Sequence, residues 1–145
     1  MDHSMTIDYR LLVDNLTTAI LLVDSDLNIF YLNSACEALF DISLLRASGM
    51  PVLNLLHMPD DEFNTEEALK NTLLSGQHYT RREATINVNF KDIHVDYTAS
   101  QLNSGKPYHP LLLIELNQID RMLKISKEEN LIQQHQVARQ LIRGV

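Results

Sequence analysis

Between Ala19 and Phe40 the chain reads AILLVDSDLNIFYLNSACEALF, and the order of elements it dictates constrains everything that follows. Ala19 to Val23 contains no polar residue, so an extended segment here is expected to be buried on both faces, as a central strand is. Asp24-Ser25-Asp26 offers side-chain oxygens to a tight turn, and Ile29 to Leu32 returns as an antiparallel partner. Ser34 followed three residues later by Glu37 has the pattern of a capping box. Ala35, Cys36, Ala38, Leu39 and Phe40 then make the short helix behind it apolar. Strand, turn, strand ending in Asn33, short helix is therefore the predicted opening.

Downstream the pattern alternates between helix and strand. Ile7 to Leu16 carries Leu11, Leu12 and Leu16 at helical spacing behind Asp8, predicting a short amphipathic helix ahead of the domain. Leu44 to Ser48 reads as one more helical turn, ended by Gly49 and Pro51, and Met50 to Phe63 as irregular chain. Asn64 caps a helix whose first turn holds Glu66 and Glu67, whose inner face holds Leu69, Leu73 and Leu74, and which Gly76 ends. From Ala84 the period becomes two. Ala84, Ile86, Val88 and Phe90 alternate with polar residues, Lys91-Asp92 turns the chain, and Ile93, Val95, Tyr97 and Ala99 alternate again. After a loop rich in Gly and Pro, Leu111 to Leu116 is a fifth strand, expected to be buried on both faces for most of its length. The predicted fold class is α+β: a five-stranded antiparallel sheet over residues 19–118 with helices on one face, after a leading helical segment at 1–18.

Residues 119–145 differ in kind. Ile119 to Arg143 has neither Gly nor Pro and would span roughly 35 to 40 Å as one helix, too long to fold back on so small a domain. Leu131, Ala138 and Val145, with Gln134 and Leu141, fall on heptad positions, whereas Ile119, Met122, Ile125 and Ile132 follow another register. The phase therefore shifts near Glu128 to Leu131. A long C-terminal coiled-coil helix with a local phase break is expected, and with it a homodimer, with Leu11, Leu12, Leu16, Leu131, Ala138, Leu141 and Val145 as candidate interface residues, because a domain this small offers them no internal partner.

A chain of 145 residues with 45% hydrophobic content can bury one core without staples. Its single cysteine excludes an internal disulfide, reads as a small buried apolar residue, and suits the reducing cytoplasm. No apolar run approaches a membrane span, and MDHSMTIDYR places acids where a signal peptide places bases. A net charge of −7 with scattered bases argues against nucleic-acid binding.

The strand–turn–strand–Asn–helix opening and the five-strand tally resemble a PAS sensor domain. More specifically, LLVDNLTTAILLVDSDLNIFYLNSACEALF and IELNQIDRMLKISKEENLIQQHQVARQLIRGV resemble the N-terminal part of the nitrogen-regulation sensor kinases, the NtrB family. The most specific words are Ile119-Asp120-Arg121, Ser126-Lys-Glu-Glu and Ala138-Arg-Gln-Leu-Ile-Arg-Gly. The resemblance implies a cytosolic homodimeric kinase that phosphorylates the NtrC response regulator and is switched by the PII signal protein. It places the phosphoacceptor sequence His-Glu-Ile-Lys-Asn-Pro just beyond Val145. It also implies a signal relay through Ile119, Asp120 and Met122, because many PAS domains keep an acid near Asp120 that ties the sheet to the outgoing helix. The chain itself is then a sensory and regulatory module, with the enzyme's chemistry in segments outside it. The alternative is a ligand- or cofactor-binding PAS sensor from another signalling protein.

Candidate chemistry is sparse. His135 has Gln136 beside it rather than an acid, and no Asn-Pro follows, so it reads as a helix-surface histidine and not as a phosphoacceptor. Cys36 lacks the polar neighbours of a flavin-reactive thiol. His78 lies past the helix on which haem-binding PAS domains carry their ligand, and His94 with Asp96 supplies two metal ligands without a third. No cofactor and no metal is proposed, and no catalytic residue. Tyr31, Asn33, Phe63 and Tyr97 are the candidate lining of an interior pocket, a filled core being the stronger expectation.

Overall fold

The computed structural model describes residues 7–56, 64–103 and 109–119. Alternating burial organises it: on each strand one set of side chains is removed from water and the other is not. Helix α1 (Tyr9–Asp14) precedes strands β1 (Ala19–Val23) and β2 (Ile29–Leu32); helices α2 (Ser34–Phe40) and α3 (Leu44–Ala47) follow, with a 3-10 turn at Val52–Asn54. Helix α4 (Thr65–Ser75) leads into β3 (Tyr79–Val88), β4 (Lys91–Leu102) and β5 (Leu111–Gln118). The strands form one antiparallel sheet in the order β2-β1-β5-β4-β3, so the chain's first and last strands lie side by side at its centre.

Ala19, Leu21 and Val23 of β1, Leu112, Ile114 and Leu116 of β5, Val95, Tyr97 and Ala99 of β4 and Ala84 and Ile86 of β3 make the inner face. It is covered by Cys36, Phe40, Ala47, Val52, Leu69 and Leu73. The architecture predicted from the sequence is the one observed. The expectation that β1 and β5 are buried on both faces needs correction, because Ile20, Leu22, Leu111 and Leu113 on the outer face are only half-buried and Glu115 is exposed. Among the described residues their apolar run reflects a central position in the sheet and a greasy outer face rather than a second covering layer. The leading helix is also shorter than Ile7 to Leu16, and the segment after Gly49 contains a 3-10 turn within chain read as irregular. The trailing segment from Asp120 onward lies outside the described residues, as do Phe63 and His135.

The β3–β4 hairpin departs from the sequence reading in two places. Tyr79 opposite Ala99 extends the pairing five residues ahead of Ala84, and a bulge where Arg82 and Glu83 oppose Asp96 hides this from a period-two reading. The Glu83 amide, at φ 56°, donates to Asp96 Oδ1 at 2.7 Å, which gives the displaced backbone group a partner. The turn itself is Asn89-Phe90 rather than Lys91-Asp92. Val88 pairs with Lys91, and the two residues between them have φ of 50° and 64°, the left-handed pair of a type I′ hairpin. Asn89 Nδ2 also donates to Asp41 Oδ2 at 2.7 Å, holding the tip against the end of α2. Phe90 is thus fully exposed in a conformation that favours glycine. Replacing it (Phe90→Gly) removes a left-handed strain of about 1 kcal/mol without removing any packing. The expected result is a gain of roughly 0.5–1 kcal/mol in denaturant unfolding, and a loss of stability would contradict the assigned turn.

Candidate functional site

Asn33 stands at the end of β2 and is completely buried. A buried amide costs a few kcal/mol unless its two donors and its acceptor find partners, and here all do. Its Oδ1 accepts from Ile20 N at 2.8 Å and from Cys36 N at 3.0 Å; its Nδ2 donates to Val13 O at 3.0 Å and Thr18 O at 2.9 Å. One side chain therefore joins the end of α1, the chain entering β1, β1 itself and the start of α2. It is also the N-cap of α2, which corrects the capping-box reading of Ser34 and Glu37. Ser34 is exposed and lies inside the helix, while Glu37 Oε2 accepts from Leu44 N at 2.8 Å and steadies the approach to α3.

Beside this junction, Asp14 of α1 accepts a hydrogen bond from the Tyr31 hydroxyl at 2.5 Å, and the Arg10 guanidinium carbon lies 5.7 Å from the Tyr31 ring centroid. Burial and the Asp14 carboxylate push the Tyr31 phenol up to about 12. Tyr31 pairs with Leu22 and so faces outward, whereas Tyr97 pairs with Leu116 and faces inward. The candidate pocket residues are consequently not brought together: Tyr31 and Tyr97 lie on opposite faces of the sheet and Asn33 is consumed by the junction. Tyr97 is buried with its ring edge-on to Tyr79, the centroids 6.1 Å apart, and its hydroxyl makes no hydrogen bond among the described residues. Burial raises it to about 12.

The remaining candidates are engaged in the fold. Cys36 is fully buried and its thiol is pushed up to about 12, first by burial and then by the Glu37 carboxylate, so the thiol stays protonated near neutrality and is a poor nucleophile. His94 and Asp96 share the outer face of β4 but serve separate neighbours: His94 Nδ1 lies 3.2 Å from Thr85 Oγ1, and Asp96 holds the bulge at Glu83. His78 is exposed just before β3. Among the described residues no three His, Cys, Asp or Glu side chains are grouped so as to hold a metal ion, and no helix is long and apolar enough to cross a membrane. Of the candidate interface residues, Leu11, Leu12 and Leu16 are 64%, 52% and 43% exposed. Ile119 is half-buried, its N–H donating to His94 O at 2.7 Å at the point where the chain leaves the sheet. Asp120, Met122, Leu131, Ala138, Leu141 and Val145 lie outside the described residues.

Comparison with known families finds that the PAS fold family matches residues 7–109. The chain belongs to the PAS family. The PAS domain of nitrogen regulation protein NR(II) from Vibrio parahaemolyticus superposes with a TM-score of 0.65 at 28% identity, over 79% of this chain and 100% of that one. A PAS domain of BvgS from Bordetella pertussis, at 15% identity and a TM-score of 0.60 over 87% of this chain and 95% of its own, shares the fold alone. Among whole proteins, the sensory histidine kinase/phosphatase NtrB of Vibrio alginolyticus is 31% identical over 134 residues, 92% of this chain and 37% of the relative. The Klebsiella oxytoca NtrB is 30% identical over 135 residues, 92% of this chain and 36% of its own. The chain thus spans little more than a third of the length of the curated relatives it matches.

The PAS domain's joint is open to a direct test. In Asn33→Asp the acceptor to Ile20 and Cys36 is kept, but a carboxylate confronts the carbonyls of Val13 and Thr18, which lose their donor. A loss of about 2–4 kcal/mol in chemical unfolding is expected, against no more than about 0.5 kcal/mol for Asn54→Asp at an exposed position. Equal effects would mean that the two bonds donated by Asn33 Nδ2 contribute nothing.

Proposed function

We propose that this chain is the sensory and regulatory PAS module of a nitrogen-regulation histidine kinase of the NtrB type, acting in the cytoplasm as a homodimer. Its parts are a leading helical segment at 1–18, the PAS domain at 19–118 and a signalling helix at 119–145. The observation that carries this reading is the extent of the similarity: a likeness over 92% of the chain necessarily runs beyond residues 7–109, where the PAS match ends. Resemblance confined to a common sensor fold would stop at the end of β5, at Gln118.

In this reading the module contributes no catalytic group. It dimerises, and it sets the position of a helix that continues toward the phosphoacceptor and ATP-binding parts of the kinase. Those parts phosphorylate an NtrC-type response regulator and respond to the PII protein. The exposed Leu11, Leu12 and Leu16 support a dimer surface on the leading segment, and the heptad residues Leu131, Ala138, Leu141 and Val145 would continue it along the trailing one. Ile119, Asp120 and Met122 stand where the sheet hands over to that helix. The hydrogen bond from Ile119 N to His94 O supports this, because it fixes the exit point against β4.

A relay of this kind depends on angular phase. One inserted residue rotates an α-helix by about 100° and two by about 200°, whereas seven restore nearly the same face with a drift of only about 20°. Insertions of one or two residues near Glu128 in the kinase that carries this module should shift its balance of kinase and phosphatase activity, and a seven-residue insertion should largely preserve it. Light scattering on the same variants should report dimers throughout. Equal outputs from all three insertions would reduce the helix to a tether, and a strict monomer at about 50 μM would remove the dimer.

A further inference from the structure

A groove opens where the two ends of the chain meet the sheet. Its floor is Ala19 of β1 and Leu116 of β5, one wall is the α2 face formed by Ala35, Ala38 and Leu39, and its rim includes Gln118. Its volume is about 340 Å³, many times the ~30 Å³ share of one water molecule. Three properties suit it to a helix rather than to a small ligand. It is an open trough with an apolar floor, and its wall carries alanines one helical turn apart, which allow a second backbone to come close. The described residues give it no charged lining side chain that could orient a polar ligand.

Gln118 on the rim identifies the occupant. The chain passes from Gln118 through Ile119 into residues 120–145, and the four residue steps from Gln118 to Met122 reach at most about 14 Å, so Met122 is confined to the neighbourhood of the groove. On a helix Met122 and Ile125 share one face, while Arg121 and Lys124 turn elsewhere. Methionine, unbranched and polarisable, fits irregular apolar gaps of this kind. We propose that this groove is the seat of the first turns of the trailing segment, with Met122 entering between Leu39 and Leu116 directly against Ala38, and Ile125 lying along Ala35. The proposal rests on the relay reading above and gives that relay its contact. A movement of α2, whose start is held by Asn33, would then shift the outgoing helix through side-chain contact rather than through the backbone at Ile119 alone.

The contact can be read without any kinase activity, so its failure and the failure of the relay are separable. In the full 145-residue chain carrying Cys36→Ala, the pair Ala38→Cys and Met122→Cys should form an intramolecular disulfide under mild oxidation. The rate should exceed that of Ala38→Cys with Lys124→Cys by about tenfold, because Cβ atoms must approach within about 4.5 Å. Hydrogen exchange on the chain with its native Cys36 gives a second reading. Amides of 121–126 should be slowed, and should exchange about tenfold faster in Ala38→Glu, an exposed position whose change leaves the core intact, with 132–145 unaffected. A disulfide between two chains would assign the groove to a second copy and overturn the proposal. Equal rates for the Met122 and Lys124 pairs, or exchange at 121–126 indifferent to Ala38→Glu, would overturn it as well.

Discussion

The side chain of Asn33 makes its hydrogen bonds in a place from which water is excluded, and this constraint organises the domain around it. A primary amide has a donor end and an acceptor end on one rigid plane, so burying it fixes the relative positions of whatever it bonds. Here these are the last turn of α1, the entry to β1, the first residues of β1 and the first turn of α2. The backbone adds to the same joint, with Asn33 N donating to Ile20 O at 3.0 Å. Moving any of these segments leaves a buried donor or acceptor unpaired, at a cost of about 1–3 kcal/mol each.

The joint lies close to where the sheet brings together the segment that enters it and the segment that leaves it. β1 and β5 are neighbours, with Ala19 opposite Leu116, so the incoming segment at Thr17 and the outgoing segment at Gln118 lie together beside α2. The strand order β2-β1-β5-β4-β3 gives the entering and leaving segments a common boundary with no long connection. On the outer face the apolar residues Ile20, Leu22, Leu111 and Leu113 lie toward β1 and β5, and His94, Asp96 and Thr98 of β4 make the other side polar. The region best able to meet another helix or subunit is therefore the one nearest the chain ends.

Much of this was legible in the sequence because hydrophobic period follows directly from which face of an element is buried. Ile86, Val95, Tyr97 and Ala99 announced the inner face of the hairpin, and Asn64 and Gly76 marked the ends of α4. Gly76 has φ 73°, a left-handed conformation that favours glycine, and a Cβ there would come within 3.1 Å of the Gln101 side-chain oxygen, which would have to shift slightly. The misreadings share a physical origin, in that each position has a local signal that a more distant partner overrides. Ser34 and Glu37 have the letters of a capping box, yet Asn33 can bond Cys36 and β1 at once, and Glu37 finds a better donor in Leu44. Phe90 carries strand propensity, but the turn must fall where Val88 and Lys91 pair. The outward direction of Tyr31 depends on a register shift between Leu22 and Val23 that no periodicity reveals.

The claim that one side chain locks four segments into a single cooperative unit is tested most directly by native-state hydrogen exchange, resolved by residue, across a denaturant series. The backbone amides of Ile20, Cys36 and Asn33 should exchange only through an opening shared with the central strands, their free energies converging on that of Leu21 and Ile114 within about 0.5 kcal/mol. Exchange of Cys36 or Ile20 through a separate, denaturant-insensitive fluctuation well below the global value would contradict the account, since it would show the joint opening while the sheet stays closed.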